Sequence, residues 1–230
     1  MIHDNIQRIL SHIEAVCRRA ERDPNEITLV GITKFANVAE VREAVRAGLT
    51  HIGENKVQEA RKKFSILDDL DAKVTKHMVG HLQANKVRQA LEIFDYIQSV
   101  DNLKLAVAIE KQAAKLNKQI DILIQVNTAE ERQKFGIEPS EVFTLIEAMA
   151  NLEHVCVCGF MTMAPLVKDE EVIRKCFRDL RFLRDQTIQR FSGSERVVMK
   201  YLSMGMTGDY EIAIEEGSNM VRIGRAIFSH

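Results

Sequence analysis

The chain has 230 residues, of which 46% are hydrophobic and 28% are charged, as in an ordinary globular protein. Its 32 basic and 33 acidic side chains leave a net charge of −1, so we do not expect nucleic acid as a partner. The charged N-terminus lacks the apolar run of a signal peptide, and no run of 18 apolar residues occurs. We therefore expect a cytoplasmic protein that makes no use of a membrane.

Strand-like runs alternate with helical segments along the whole chain, after an N-terminal helix predicted over 3–20. Most of the runs are apolar and carry few charges, which is typical of parallel strands buried on both faces. There are eight of them: ITLVGITK (27–34), THIGE (50–54), HMVGHL (77–82), YIQSV (96–100), DILIQVN (121–127), HVCVCGFMTMA (154–164), KYLSMGM (200–206) and MVRIG (220–224).

The segments between the strands have helical spacing. The stretch 38–49 contains Gly48 near its end, where helices often stop, and 101–117 opens on the N-cap candidates Asp101 and Asn102. Eight strands that alternate with helices predict an α/β fold, a single (β/α)8 TIM barrel with an extra N-terminal helix, in one domain over residues 1–230. A flavodoxin-like sheet is the alternative, but it leaves about three strands without an obvious place.

In a (β/α)8 barrel, chemistry occurs at the carboxyl ends of the strands. Polar residues follow most of the predicted strands: Lys34, Glu54, Asn55, His81, Asn127, Thr162, Ser203 and Arg222. The carboxyl ends of all the strands meet at one rim of the barrel, and the number of polar residues there indicates a binding site at this rim.

Lys34 ends an otherwise apolar strand. We expect its amine to be partly desolvated, which favours the neutral form that attacks an aldehyde; the alternative is a lysine that simply reaches solvent. The stretches SMGMTGD (203–209) and VRIGRAIF (221–228) follow the seventh and eighth strands, where barrels of this type bind phosphate. Ser203 can supply a hydroxyl there, and Gly205 and Gly224 let backbone N–H groups approach closely.

The sequence offers little support for a metal site. His77 and His81 lie four residues apart on a predicted strand, about 13 Å, which is too far to share one ion. His81 can face a ligand at the strand end, and we interpret His77 as structural. Of the four cysteines, only Cys156 and Cys158 would lie close together, and a zinc site needs four ligands. We therefore expect reduced thiols and no metal.

Six stretches together resemble the pyridoxal phosphate homeostasis protein family, whose barrel is similar to the N-terminal domain of alanine racemases. They occur in the family's order over about residues 27–228: GITK, HIGENKVQEA, HMVGHLQANKVR, QVNTAEERQKFGI, GFMTMAP and LSMGMTGDYEIAIEEGSNMVRIGRAIF. Each is weak singly, but the ordered set is specific.

The resemblance implies that Lys34 holds pyridoxal 5′-phosphate (PLP) as a Schiff base. It implies that Ser203, Gly224 and the backbone of Arg225 bind the phosphate, and that Asn55 and His81 line the ring pocket. Arg222 matches the arginine that faces the pyridine nitrogen in alanine racemases. Two features depart from the family: Arg225 replaces a small hydroxyl residue, and the chain stops at His230, so the last helix is short.

The function implied is intracellular PLP (vitamin B6) homeostasis without catalytic turnover, with PLP-dependent apo-enzymes as recipients and a monomer or weak homodimer as the expected state. The main alternative is an amino-acid racemase or decarboxylase that uses PLP. Racemases of this lineage take a catalytic tyrosine from a second domain, and nothing follows residue 230 to build one. A Schiff-base aldolase is a third possibility, which would be colourless, whereas a PLP protein is yellow.

Overall fold

The computed structural model describes residues 1–65, 67, 73–129 and 135–229. Part of the QVNTAEERQKFGI stretch and the terminal His230 lie outside these residues. The strands are β1 (Thr28–Ile32), β2 (His51–Glu54), β3 (Thr75–Met78), β4 (Tyr96–Val100), β5 (Ile120–Gln125), β6 (Val155–Met161), β7 (Val197–Ser203) and β8 (Met220–Ile223). The helices are α1 (Ile2–Arg19), α2 (Val38–Arg46), α3 (Val57–Phe64), α4 (Val87–Leu91), α5 (Leu103–Lys115), α6 (Val142–Ala148), α7 (Glu170–Arg190), α8 (Tyr210–Glu215) and α9 (Arg225–Phe228).

The eight strands form a closed parallel barrel in the order of the chain, with β8 pairing back to β1. The predicted (β/α)8 fold is therefore confirmed, and the open flavodoxin-like sheet is wrong. The sequence pattern fits this closure, because helices alternate with strands whose residues are mostly buried. Within the described residues, no helix has both the length and the apolarity needed to cross a bilayer.

The helix boundaries agree with the local sequence signals. Asn37 begins α2 with a reciprocal capping box to Glu40, and Gly48 follows the end of that helix with a φ of +95°. Asn102 caps α5 by accepting a hydrogen bond from the backbone N–H of Leu105. Six of the eight predicted strands were too long at their carboxyl ends, whereas β2 and β4 end as predicted. In particular, β1 ends at Ile32 and leaves Lys34 in the following turn.

The extra N-terminal helix α1 packs on the outside of the barrel against α2, α8 and α9. It buries one stripe of apolar side chains, four of which are isoleucines at positions 2, 6, 9 and 13. Polar contacts fix its position: Asn5 donates to the carbonyl of Ile227, and Arg22 donates to the carbonyls of Ile214 and Ser218. The helix therefore supports the two short helices that follow β7 and β8.

The interior of the barrel contains a small apolar cluster that is separate from the larger core between strands and helices. On β6 the pairing register with β5 slips by one residue at Cys158, because Ile122 pairs with Val157 while Leu123 pairs with Gly159. Gly159 has a φ of +153°, and a Cβ there would overlap the backbone of Tyr201. This bulge requires glycine and sets which β6 side chains enter the barrel.

Candidate functional site

A cavity of about 220 Å³ opens at the carboxyl ends of β1 and β8. Four of the predicted site residues line it, namely Lys34, Arg222, Gly224 and Arg225. Two loops complete its wall. Residues 206–209 belong to the predicted phosphate-binding stretch after β7, whereas residues 165–167 after β6 were not assigned to the site. The cavity therefore combines an amine, a guanidinium and a glycine turn that lie far apart in the sequence.

Lys34 lies in the turn after β1 and its side chain is exposed. Its Nζ lies 5.0 Å from the ring centroid of Phe35, which is also exposed. The expected desolvation of this amine is wrong, because β1 ends two residues earlier than predicted and the turn carries the side chain outward. The amine nevertheless lines the cavity.

The turn that carries Lys34 is held by a buried ion pair. Nζ of Lys63, on α3, lies 2.9 Å from Oε2 of Glu54 at the end of β2, and both side chains are almost fully buried. Lys63 also donates to the backbone carbonyl of Thr33 at 2.7 Å, while the Thr33 hydroxyl donates to Oε2 of Glu54 at 3.0 Å. The other carboxylate oxygen accepts the backbone N–H of Asn55. This network fixes the loops after β1 and β2 relative to each other.

Arg222 is buried, and its guanidinium points to the top of the barrel interior. Nη1 donates to Oγ of Ser203 and Nη2 to the backbone carbonyl of Thr162, both at 2.7 Å. Burial lowers the pKa of Arg222 to about 10, and the charge of Asp209 opposes that shift. The guanidinium thus stays protonated at neutral pH.

Asp209 is the negative group that lines the same cavity. Its Oδ1 accepts the backbone N–H of Met206 at 2.6 Å, which closes the loop after β7. Burial raises the pKa of Asp209, while the Met206 N–H and the charge of Arg222 lower it. A negative charge on Asp209 balances part of the Arg222 charge without removing its capacity to donate hydrogen bonds.

Ser203 is fully buried beneath Arg222 and does not line the cavity. Because an arginine can only donate, the Ser203 oxygen accepts from Arg222 and its hydroxyl proton goes to Oε1 of Gln98, at 2.6 Å. The hydroxyl proton is therefore engaged inside the barrel. This differs from the predicted role of Ser203 as a direct phosphate ligand.

The hydrogen-bonded chain continues from Gln98 to the other end of the barrel. Nε2 of Gln98 lies 2.9 Å from Nδ1 of His77, and Nε2 of His77 lies 3.0 Å from Nδ1 of His51. Burial and the neighbouring His51 lower the pKa of His77 to about 3, so the ring is neutral. Since Gln98 donates to Nδ1, the proton of neutral His77 is on Nε2 and points to His51. His77 is thus structural within the barrel, as we interpreted it.

Asn55 and His81 lie at a neighbouring cavity between the ends of β2 and β3, together with Lys56 and Met78. The ring of His81 stacks on Phe135 with 4.6 Å between the centroids. The structure therefore places these two predicted residues at the same rim as Lys34, but not in the same cavity.

Gly224 follows β8 at the point where the chain passes close to β1. A Cβ on Gly224 would lie 3.2 Å from the carbonyl oxygen of Ile32, so the glycine permits this close approach. Arg225 begins α9, and its side chain is exposed. Gly205 has a φ of +97° and its carbonyl accepts the backbone N–H of Arg222, which makes it a support for β8. It does not line the cavity.

Sequence reasoning missed two groups that matter to the site. Asp209 ends the stretch SMGMTGD, and its place in the loop after β7 was a usable signal. Lys63 gave no such signal, because it is one of three consecutive basic residues in the last turn of α3, a pattern that normally indicates a solvent-exposed helix surface.

Comparison with known proteins agrees with this architecture. The family model of the alanine racemase N-terminal domain matches residues 5–230. The pyridoxal phosphate homeostasis protein of Aquifex aeolicus is 40% identical over 225 residues, which cover 98% of this chain and 96% of that protein. A protein of Bifidobacterium adolescentis described as unknown has a TM-score of 0.93 at 34% identity, covering 99% of this chain and 94% of that one.

The structure of PipY from Synechococcus elongatus PCC7942 with PLP bound has a TM-score of 0.86 at 30% identity, and each chain covers 100% of the other. Fold and site thus define a barrel of the alanine racemase N-terminal class. Within that class, the chain belongs to the pyridoxal phosphate homeostasis protein family.

Proposed function

We propose that this chain binds PLP in the cavity at the ends of β1 and β8, with Nζ of Lys34 as the covalent anchor through a Schiff base. The observation that carries the proposal is the buried, protonated Arg222, which lines one cavity with an exposed lysine amine and the Gly224 turn. The relative PipY, whose structure contains PLP, supports it. When bound, PLP supplies an aldehyde that condenses with amines and a ring that can withdraw electrons.

The donor set fits this cofactor. Arg222 is held in place by Ser203 and the carbonyl of Thr162, and a guanidinium has no acceptor atom. Facing the ring nitrogen, it would hold that nitrogen unprotonated, which weakens electron withdrawal by the ring. A carboxylate in the same place would hold a proton there. The residue type at 222 therefore favours binding over carbanion chemistry.

For the phosphate we propose the backbone of Gly224 and Arg225, both of which line the cavity. The engaged hydroxyl of Ser203 is better suited to fixing Arg222 than to donating to the phosphate. Asn55 and His81, at the adjacent cavity, are proposed to border the ring from the side of β2 and β3.

We propose a role in PLP homeostasis without catalytic turnover, with PLP-dependent apo-enzymes as recipients. The three tyrosines of the chain support this over an amino-acid racemase or decarboxylase. The hydroxyl of Tyr210 lies 2.6 Å from Nδ1 of His12 on α1, and the side chain does not line the cavity. Tyr96 and Tyr201 contact each other inside the barrel, below Gln98. A tyrosine acid or base is therefore absent from this cavity.

The anchor is tested by reducing the purified yellow protein with borohydride and mapping the modified peptide. We expect the adduct on Lys34, and we expect Lys34→Ala to lose the PLP absorption while keeping its circular dichroism spectrum. Lys56→Ala is the matched control, because Lys56 is an exposed lysine at the same rim. An adduct on another lysine would refute the assignment.

The role is tested by mixing PLP-loaded protein with an apo-enzyme and following the recovered activity. Amino-acid racemisation and decarboxylation are measured in parallel by chiral chromatography, against free PLP at the same concentration. We expect transfer of PLP and no turnover above free PLP. Sustained turnover of one amino acid would establish the enzyme alternative instead.

A further inference from the structure

The end of the barrel opposite the cavity contains a group of three metal-ligating side chains. Asp121 on β5 and Cys156 and Cys158 on β6 have ligand atoms that all lie within 4.8 Å of one another. The two sulfur atoms are 3.6 Å apart. The group lies near the amino ends of its strands, so it is remote from the rim that carries Lys34.

The fold creates this group by strand pairing and by the alternation of side chains along β6. Asp121 is the direct pairing partner of Cys156, so these two side chains are cross-strand neighbours. The alternation of side chains along β6 then places Cys158 on the same face as Cys156, in the barrel interior, where Cys158 is buried and Cys156 half-buried. Our expectation of no metal counted only the two thiols, whereas the neighbouring strand adds a carboxylate.

We propose that Asp121, Cys156 and Cys158 form a binding site for a thiophilic divalent cation, with Zn²⁺ as the best match. With Zn–S bonds of about 2.3 Å, a tetrahedral ion separates two thiolate sulfurs by about 3.8 Å. The observed 3.6 Å lies close to that spacing. A disulfide bond is about 2.05 Å long, so the two cysteines are free thiols in this structure.

The surroundings suit a three-ligand site with an open fourth position. Asp121 and Cys156 are half-buried, so an ion can reach them from solvent at the end of the barrel. Tyr201 and Tyr96 pack above the thiols, in the same interior cluster. Two thiolates and one carboxylate carry three negative charges, enough to balance one Zn²⁺. A bound ion would link β5 to β6 at the amino-terminal end of the barrel. Residues at this end usually contribute to stability, whereas catalytic residues lie at the opposite end.

The test uses the tag-free, full-length protein carrying its cofactor. Zn²⁺ content and affinity are measured by elemental analysis and by competition with a chromogenic chelator, and the coordination shell by X-ray absorption at the zinc edge. The variants are Cys156→Ser, Cys158→Ser and the near-isosteric Asp121→Asn. Cys17→Ala is the control, since it removes a buried thiol from α1 on the outside of the barrel. Circular dichroism checks that each variant is folded.

We expect one Zn²⁺ per chain with two sulfur neighbours, and an affinity at least about tenfold lower in each ligand variant but unchanged in Cys17→Ala. The unfolding temperature of the unmodified protein should rise with added Zn²⁺, and that of Cys156→Ser should not. A zinc shell without sulfur would overturn the proposal. So would equal affinity in the Cys156→Ser/Cys158→Ser double variant, or a Cys156–Cys158 disulfide in protein that binds no zinc.

Discussion

Removing the Lys63 side chain is expected to destabilise the protein strongly, although the sequence of its helix predicts an exposed lysine at this position. The side chain is 9% exposed and that of Glu54 is 2% exposed, so the ion pair between them is screened very little by water. In Lys63→Met the Glu54 carboxylate keeps its bonds from Thr33 and Asn55 but loses its only countercharge in the network. Breaking one side of a buried ion pair typically costs about 3–5 kcal/mol.

For a chain of this size, each kcal/mol lowers the melting temperature by about 2–4 °C, so we expect a decrease of about 6–20 °C. The free energy of unfolding is measured by urea denaturation at pH 7.5, and the melting temperature by calorimetry. Replacing both partners should be much less harmful than replacing one, because no charge is then left buried. The double variant Lys63→Met/Glu54→Gln should therefore recover most of the lost stability.

Lys62→Met is the matched control, because Lys62 is 72% exposed and its ion pair with Glu59 lies on the helix surface. We expect it to change stability by less than about 0.5 kcal/mol. The reasoning fails if Lys63→Met is as stable as Lys62→Met. It also fails if the double variant is less stable than Lys63→Met alone, since the cost would then come from lost packing and not from an unpaired carboxylate.

Three further predictions concern the site and the barrel interior. Arg222→Glu should shift the absorption spectrum of bound PLP by placing a proton on the ring nitrogen, whereas Arg225→Glu, on the exposed side of the cavity, should not shift it. If Arg222→Glu still binds PLP and its spectrum is unchanged, the assignment of Arg222 is contradicted. His77 has a pKa of about 3 in the folded protein against an ordinary 6.5, so its contribution to stability is fully present above about pH 6.5 and is lost as the pH falls toward 3. Urea titrations should show a loss of about 2 kcal/mol in the free energy of unfolding between pH 7.5 and pH 5, and His77→Gln should lack this loss. Gly159→Ala should lower the free energy of unfolding, measured in the same way, by about 3 kcal/mol or more, because the φ at this position is positive and the added Cβ would overlap the backbone of Tyr201. An unchanged free energy of unfolding would mean that the bulge can relax.

Local patterns in the amino-acid sequence were sufficient to predict the architecture and to place the site at one end of the barrel. Eight short apolar runs separated by amphipathic segments specify parallel strands covered by helices, and this pattern depends only on local periodicity. Because the carboxyl ends of such strands meet at one rim, Lys34, Arg222 and Gly224 could be placed together without knowing any distance. That residues 1–230 form one domain stays a prediction.

The partners of the polar side chains, in contrast, became clear from the folded barrel alone. The sequence does not reveal that Lys63 reaches Glu54 and Thr33, or that Ser203 turns inward to Gln98, because these pairs depend on how the strands are staggered around the barrel. The same holds for Asp121, which meets the two thiols because β5 pairs with β6 in the register that places it opposite Cys156. Periodicity identifies which residues share a face of their own strand, whereas contacts between strands depend on register, and register is set when the whole barrel closes.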